Sequence, residues 1–282
     1  MLRIAISFDY DSPAGYRESF HQRDFPPDAD YRGVALLLPV LAEHGVKATF
    51  GIVGYAALPG EPPEHCQEQI RAIHTAGHEV ASHSMTHRFI PPMRDAELLA
   101  ELTSGKRALE ACLGVGVCGF IPPFNRPMHF PARGAISLAE LLGHHGRGRG
   151  RQSIGSLLRA LRTVGFGWSR VSFESKIYQA GRWLGLSGKR RPPQPFAYAG
   201  VVAIPLHEDG FGEAPRALVR RWLKQDLVLT LYAHPNQASA SNGQSARELD
   251  RLLMEFHRER ADGLIEFNTM GEIEAITRKT SK

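Results

Sequence analysis

A chain of 282 residues, 43% apolar and 22% charged, carries enough hydrophobic side chains for a sizeable core, which excludes disordered, collagen-like and fibrous folds. Its 34 basic and 29 acidic residues leave a formal charge of +5 at pH 7, too mild for a dedicated nucleic-acid binder but compatible with an anionic substrate. Three cysteines without CxxC spacing argue against a disulfide framework or a structural zinc knuckle, and no apolar run is long enough for a transmembrane helix.

In chain order, Met1-Leu2-Arg3 leads directly into a strand-like segment at 3–9, too short for the apolar core of a signal peptide, so a cytoplasmic protein is expected. Further strands are predicted at 47–54, 78–82, 117–121, 163–168, 200–206, 226–232 and 264–268. Helical periodicity falls between them, at 31–43, where Val34, Leu37, Leu38 and Leu41 share a face, and at 64–76, 95–112 and 247–260. The runs Val201-Val202-Ala203-Ile204 and Leu227-Val228-Leu229 are apolar throughout, as in parallel strands covered on both faces. This alternation predicts an α/β fold, a single distorted (β/α) barrel of about seven or eight mostly parallel strands forming one domain over residues 1–282. Basic stretches spaced by glycine or proline, at 143–151 and 188–195, read as loop insertions.

Catalytic residues of such barrels gather where strands end, and these ends are polar. The first strand finishes Ser7-Phe8-Asp9-Tyr10-Asp11, and extended geometry points both carboxylates to one side. A cation explains two anions so placed, taking one as a ligand and leaving the other as a base; a strand-ending turn is the plainer alternative. The third strand runs into His83-Ser84-Met85-Thr86-His87, an HxxxH spacing that lets two imidazoles reach one ion, although surface histidines are common in a chain with 13 of them. The fourth leads into Phe120-Ile121-Pro122-Pro123-Phe124-Asn125, where prolines stiffen the exit loop, and a later one ends Leu231-Tyr232-Ala233-His234.

With these segments in this order, the sequence resembles the polysaccharide deacetylases of carbohydrate esterase family 4, the NodB homology domain. The closing segment, Leu264 to Glu272, is similar as well. The resemblance implies that Asp11, His83 and His87 hold one divalent metal, usually zinc. Asp9 is then the base, His234 the acid, and the backbone N–H of Phe124 the oxyanion donor, with Asn125 and Arg126 beside it toward substrate. It also exposes departures. Ile121 stands where many members carry an arginine that braces the base, and Arg126, five residues later, is a candidate to compensate or leaves the brace missing. No aspartate near 165–172 matches the residue that orients the acid, leaving Asp209 as a candidate against a plain turn aspartate.

The expected function is hydrolysis of a non-peptide C–N bond, most simply N-deacetylation of an amino sugar, possible phosphate groups on the substrate being met by Arg147, Arg149 and Arg151. A deformylase or cyclic amidase is the nearest rival, and a non-catalytic sugar-binding or metal-binding barrel is the rival of another class. His144 and His145 read as solvated loop histidines, and Trp168, Trp183 and Trp222 as core residues rather than sugar platforms.

Overall fold

The computed structural model describes residues 1–18, 25–131, 150–173 and 191–280. Its first strand, β1 (Leu2–Tyr10), is buried along its whole length except at Arg3, so its two faces both meet protein and its sequence shows no polar alternation. There follow α1 (Ser12–Glu18), α2 (Ala29–Glu43), β2 (Thr49–Ile52), α3 (Gln67–Thr75), β3 (Glu79–Ser82), α4 (Asp95–Leu113) and β4 (Gly119–Phe120). The second half supplies α5 (Ile154–Val164), β5 (Trp168–Val171), β6 (Phe196–Tyr198), β7 (Val201–Pro205), β8 (Glu208–Asp209), α6 (Glu213–Trp222) and β9 (Leu227–Ala233). The described chain closes with α7 (Ala246–Glu255), α8 (His257–Ala261), β10 (Ile265–Asn268) and α9 (Met270–Thr280).

The strands form one curled, half-barrel sheet in the order β6-β7-β5-β4-β3-β2-β1-β9-β8, parallel except between β6 and β7. β1 is its axis. One edge of β1 pairs with β9 from Leu2 to Phe8. The other edge is shared, Leu2 to Ala5 lying against β10 and Ser7 to Tyr10 against β2. Because the strands that meet β1 are all parallel to it, their C-terminal ends open on the same rim, and Asp9 sits at the centre of that rim.

The α/β class and the mostly parallel sheet agree with expectation, and three details differ. Among the described residues the sheet has ten strands, the additional β6 and β8 being only three and two residues long, too short to show a periodicity. The strand expected at 163–168 lies instead at Trp168–Val171: α5 continues to Val164 and ends on Gly165, whose left-handed φ of 90° caps the helix. The helix expected at 247–260 is interrupted at Phe256, which turns into the core.

Trp168 packs in the core and donates its Nε1–H to Glu79 Oε1 at 3.1 Å. The same carboxylate accepts from Thr49 Oγ1 and from the Gly271 N–H, which ties the first turn of α9 to the floor of the sheet. Trp222 lies partly buried against the main core. Trp183, His144, His145, Arg147 and Arg149 fall outside the described residues, as do 143–149 of the first basic stretch and 188–190 of the second.

Candidate active site

The rim brings together the acidic pair and the two histidines. Asp11 follows β1 directly, and His83 follows β3, two strands away across the sheet. His83 Nε2 and His87 Nε2 each lie 3.2 Å from Asp11 Oδ1, with all three side chains almost completely buried. One atom from each residue falls within 4.8 Å of the others, a donor set of two imidazoles and one carboxylate.

Their surroundings fit a cation. Neither Asp11 oxygen has a hydrogen-bond partner, and a buried carboxylate left so is costly unless a positive charge meets it. His83 Nδ1 lies 2.7 Å from the Ile121 carbonyl, which can only accept, so Nδ1 carries the proton and Nε2 keeps its lone pair facing Asp11. Burial lowers the His87 pKa to about 4, outweighing the attraction of Asp11, so that ring is neutral and able to ligate at physiological pH. Burial acts to raise the Asp11 pKa, but the His87, His83 and His234 rings hold it well below the ordinary carboxylate range.

Asp9 is held by a residue that the sequence did not single out. Arg170 on β5 reaches across the sheet interior and grips both carboxylate oxygens, Nη1 to Oδ1 at 2.7 Å and Nη2 to Oδ2 at 2.5 Å. Nη1 also donates to Ser7 Oγ and Nη2 to Asn125 Oδ1, while the Tyr232 ring stacks on the guanidinium at 4.8 Å. Burial tends to raise the Asp9 pKa, yet the Arg170 charge and its paired hydrogen bonds bring it below the usual value. The brace for which Arg126 was a candidate is therefore supplied by Arg170. The Arg126 side chain is directed at Met128 Sδ, and Ile121 packs in the core over Gly51. An arginine in the otherwise compact strand Trp168-Ser169-Arg170-Val171 was the available signal, since a buried arginine needs a partner.

His234 stands just beyond β9. Its Nδ1 lies 3.2 Å from Gln244 Oε1, and the same oxygen accepts the His234 backbone N–H at 2.8 Å. The amide oxygen accepts only, so Nδ1 is protonated and Nε2 is the nitrogen that exchanges protons. Asp209, the sequence candidate for this role, lies on β8 within the electrostatic influence of His234, but the atom at Nδ1 belongs to Gln244. Burial disfavours the His234 cation, while Asp11, Asp9 and the Gln244 hydrogen bond overcome it and raise the pKa above 6.5. The protonated ring therefore stabilises the fold below the unfolded pKa, and that stabilisation is lost as pH rises through the folded value. Gln244→Ala should lower the His234 pKa. A ring-proton NMR titration checks this, and an unmoved midpoint would show that the carboxylates alone hold the proton.

The proline turn borders the histidines. Phe124 and Asn125 both take left-handed backbone angles, φ 57° and 54°, strain of a kind that concentrates at functional sites. The Phe124 ring lies 4.6 Å from that of His87, and the N–H groups of Asn125 and Arg126 bond to the Pro122 and Pro123 carbonyls. Asn125 thus serves Arg170 with its side chain and closes the turn with its backbone.

Residues 24–133 match the family model described as polysaccharide deacetylase. A chitooligosaccharide deacetylase from Bradyrhizobium sp. (strain ANU 289) is 38% identical over 76 residues, 27% of this chain and 32% of that protein. Chitin deacetylase 1 from Cryptococcus neoformans var. grubii is 30% identical over 90 residues, 32% of this chain and 18% of that protein. The matches thus span about a third and a fifth of these curated relatives. The crystal structure of a protein assigned as a polysaccharide deacetylase from Mycobacterium smegmatis superposes with a TM-score of 0.66 at 19% identity, covering 99% of this chain and 91% of that one, a likeness of fold. The matched segment takes in His83, His87 and the proline turn, and the chain is similar there to the polysaccharide deacetylases, while the likeness to the solved structure is one of fold.

Proposed function

We propose that this protein is a metal-dependent hydrolase that removes the N-acyl group, in the first instance acetyl, from an amino sugar. The observation that carries the reading is the partnerless Asp11 carboxylate facing two imidazoles, with an arginine-braced Asp9 two residues away in the same strand exit. The deacetylase names of the partial relatives support the substrate class. A divalent cation held by Asp11, His83 and His87 would polarise the acyl carbonyl and acidify water.

The remaining steps belong to side chains of this chain. Asp9, kept ionised by Arg170, accepts a proton from the attacking water. Asp11, Asp9 and the Gln244 hydrogen bond favour the protonated His234 ring, from which Nε2 delivers a proton to the departing nitrogen as the C–N bond breaks. The acyl group leaves as a carboxylate and the sugar as an amine. The Phe124 N–H is assigned to the developing oxyanion, next to the His87 ring.

Metal analysis of the purified protein, with a mass-resolved screen of N-acetylated and N-formylated sugars and cyclic amides, tests the reading. About one zinc or cobalt ion per chain is expected, with activity lost to a chelator and restored by the ion, and with metal lost from His87→Ala. A protein that binds neither ion and turns over none of these substrates would instead be a non-catalytic barrel.

A further inference from the structure

Between the metal-ligand side and the acid side of the rim lies one carboxylate that neither performs the chemistry nor belongs to the donor set. Asp30, in the first turn of α2, is 1% exposed. Its Oδ2 accepts the backbone N–H groups of Asp11 at 3.0 Å and Ser12 at 2.9 Å. Its Oδ1 accepts the N–H of Asn236 at 2.9 Å, two residues after His234 and 206 residues from Asp30. The Tyr16 hydroxyl receives the Asp30 N–H and fixes the start of the helix.

The helix is also pressed against the His234 loop. Gly33, one turn further along α2, is so close that a methyl group there would lie 1.8 Å from the Pro235 carbonyl oxygen. Three N–H donors on one carboxylate and a backbone-to-backbone contact join two strand exits that no sheet hydrogen bond reaches, since β1 and β9 stop pairing at Phe8 and Ala233. Ser12 has a left-handed φ of 59°, so its N–H is turned back toward Asp30 by a conformation that other residues resist.

We infer that Asp30 is a positioning residue that locks the Asp11 ligand loop to the His234 loop, setting the distance between metal centre and general acid, with Gly33 seating the acid loop. This rests on the hydrolase reading and adds a coupling between its two halves. Asparagine is the informative replacement, because it matches the carboxylate in shape but offers one oxygen where Asp30 offers two. Its NH2 must then face either the Asp11–Ser12 pair or Asn236, donor against donor.

The experiment compares cobalt(II) binding, followed by the visible spectrum, and steady-state kinetics in wild type, Asp30→Asn and Gly33→Ala, after circular dichroism shows each to be folded. Asp30→Asn should weaken cobalt affinity about 10- to 100-fold and lower kcat more than it raises KM. Gly33→Ala should keep wild-type cobalt affinity while losing kcat on the order of 10²-fold, as a displaced acid requires. A folded Asp30→Asn with wild-type cobalt affinity and kcat overturns the inference and leaves the hydrolase reading standing; a wild type that takes up no cobalt overturns both. If Asp30→Asn does not fold, amide exchange in the wild type decides. Cobalt should slow exchange at Asn236 together with Asp11 and Ser12, and an Asn236 amide indifferent to cobalt would overturn the coupling.

Discussion

Replacing Arg170 with methionine is expected to cost about 3–5 kcal/mol of stability at neutral pH, the penalty of leaving a buried charge without its partner. Arg170 is fully buried and Asp9 nearly so, and they are joined by two parallel hydrogen bonds rather than by a screened surface contact. The pH dependence follows from the direction of the shift. In the wild type the Asp9 pKa is depressed, so its pairing contributes stability above the unfolded carboxylate pKa and loses it as pH falls through the folded value.

In Arg170→Met the balance reverses, because burial, the largest single influence on Asp9, is no longer offset by the guanidinium. The Asp9 pKa then rises, and protonation relieves the buried charge. The stability deficit should therefore be greatest near pH 7 and shrink on acidification, as urea unfolding of chelator-treated protein at pH 7 and pH 5 would show. Adding Asp9→Asn to Arg170→Met should recover part of the loss. A single variant as stable as wild type at pH 7 would mean that the pair is not the anchor its geometry suggests.

Asp9→Asn is expected to reduce turnover about 10²- to 10⁴-fold, the range spanned by general acid–base catalysis. The amide cannot take a proton from water, yet Asp9 is not among the residues that surround the cation position, so cobalt affinity should stay within a few-fold of wild type. Measuring both on the same preparation separates a lost base from a lost metal. Undiminished turnover would place the base elsewhere, and loss of cobalt together with turnover would make Asp9 part of the metal centre. The depressed pKa of Asp9 also predicts that this group stays ionised in mild acid, so it does not set an acid limb near neutrality.

The residues most easily read from sequence were those whose chemistry and position coincide. Asp9, Asp11, His83 and His234 each lie at the end of a strand or just beyond it, and an apolar run ending in a carboxylate or imidazole is visible without knowing which strands are neighbours. Arg170 was missed because the strand containing it was expected to end at Trp168, and because it binds a residue 161 positions away. Gln244 was missed for a different reason: an amide oxygen from the segment before α7 takes the place of the aspartate sought at Asp209, and amides carry no charge pattern to search for.

Sequence by itself determined the alternation of strands and helices, the burial of the strands and which carboxylates and imidazoles stand at the strand exits, since these follow from local periodicity and side-chain chemistry. Only the tertiary structure decided which groups partner one another. That β5 would send Arg170 to Asp9, that Ile121 would offer His83 its carbonyl rather than a side chain, and that α2 would bridge Asp11 to Asn236 all depend on sheet order and helix placement. Such pairings are made across the fold by packing the whole chain, and a buried charge accepts whichever partner that packing brings within reach.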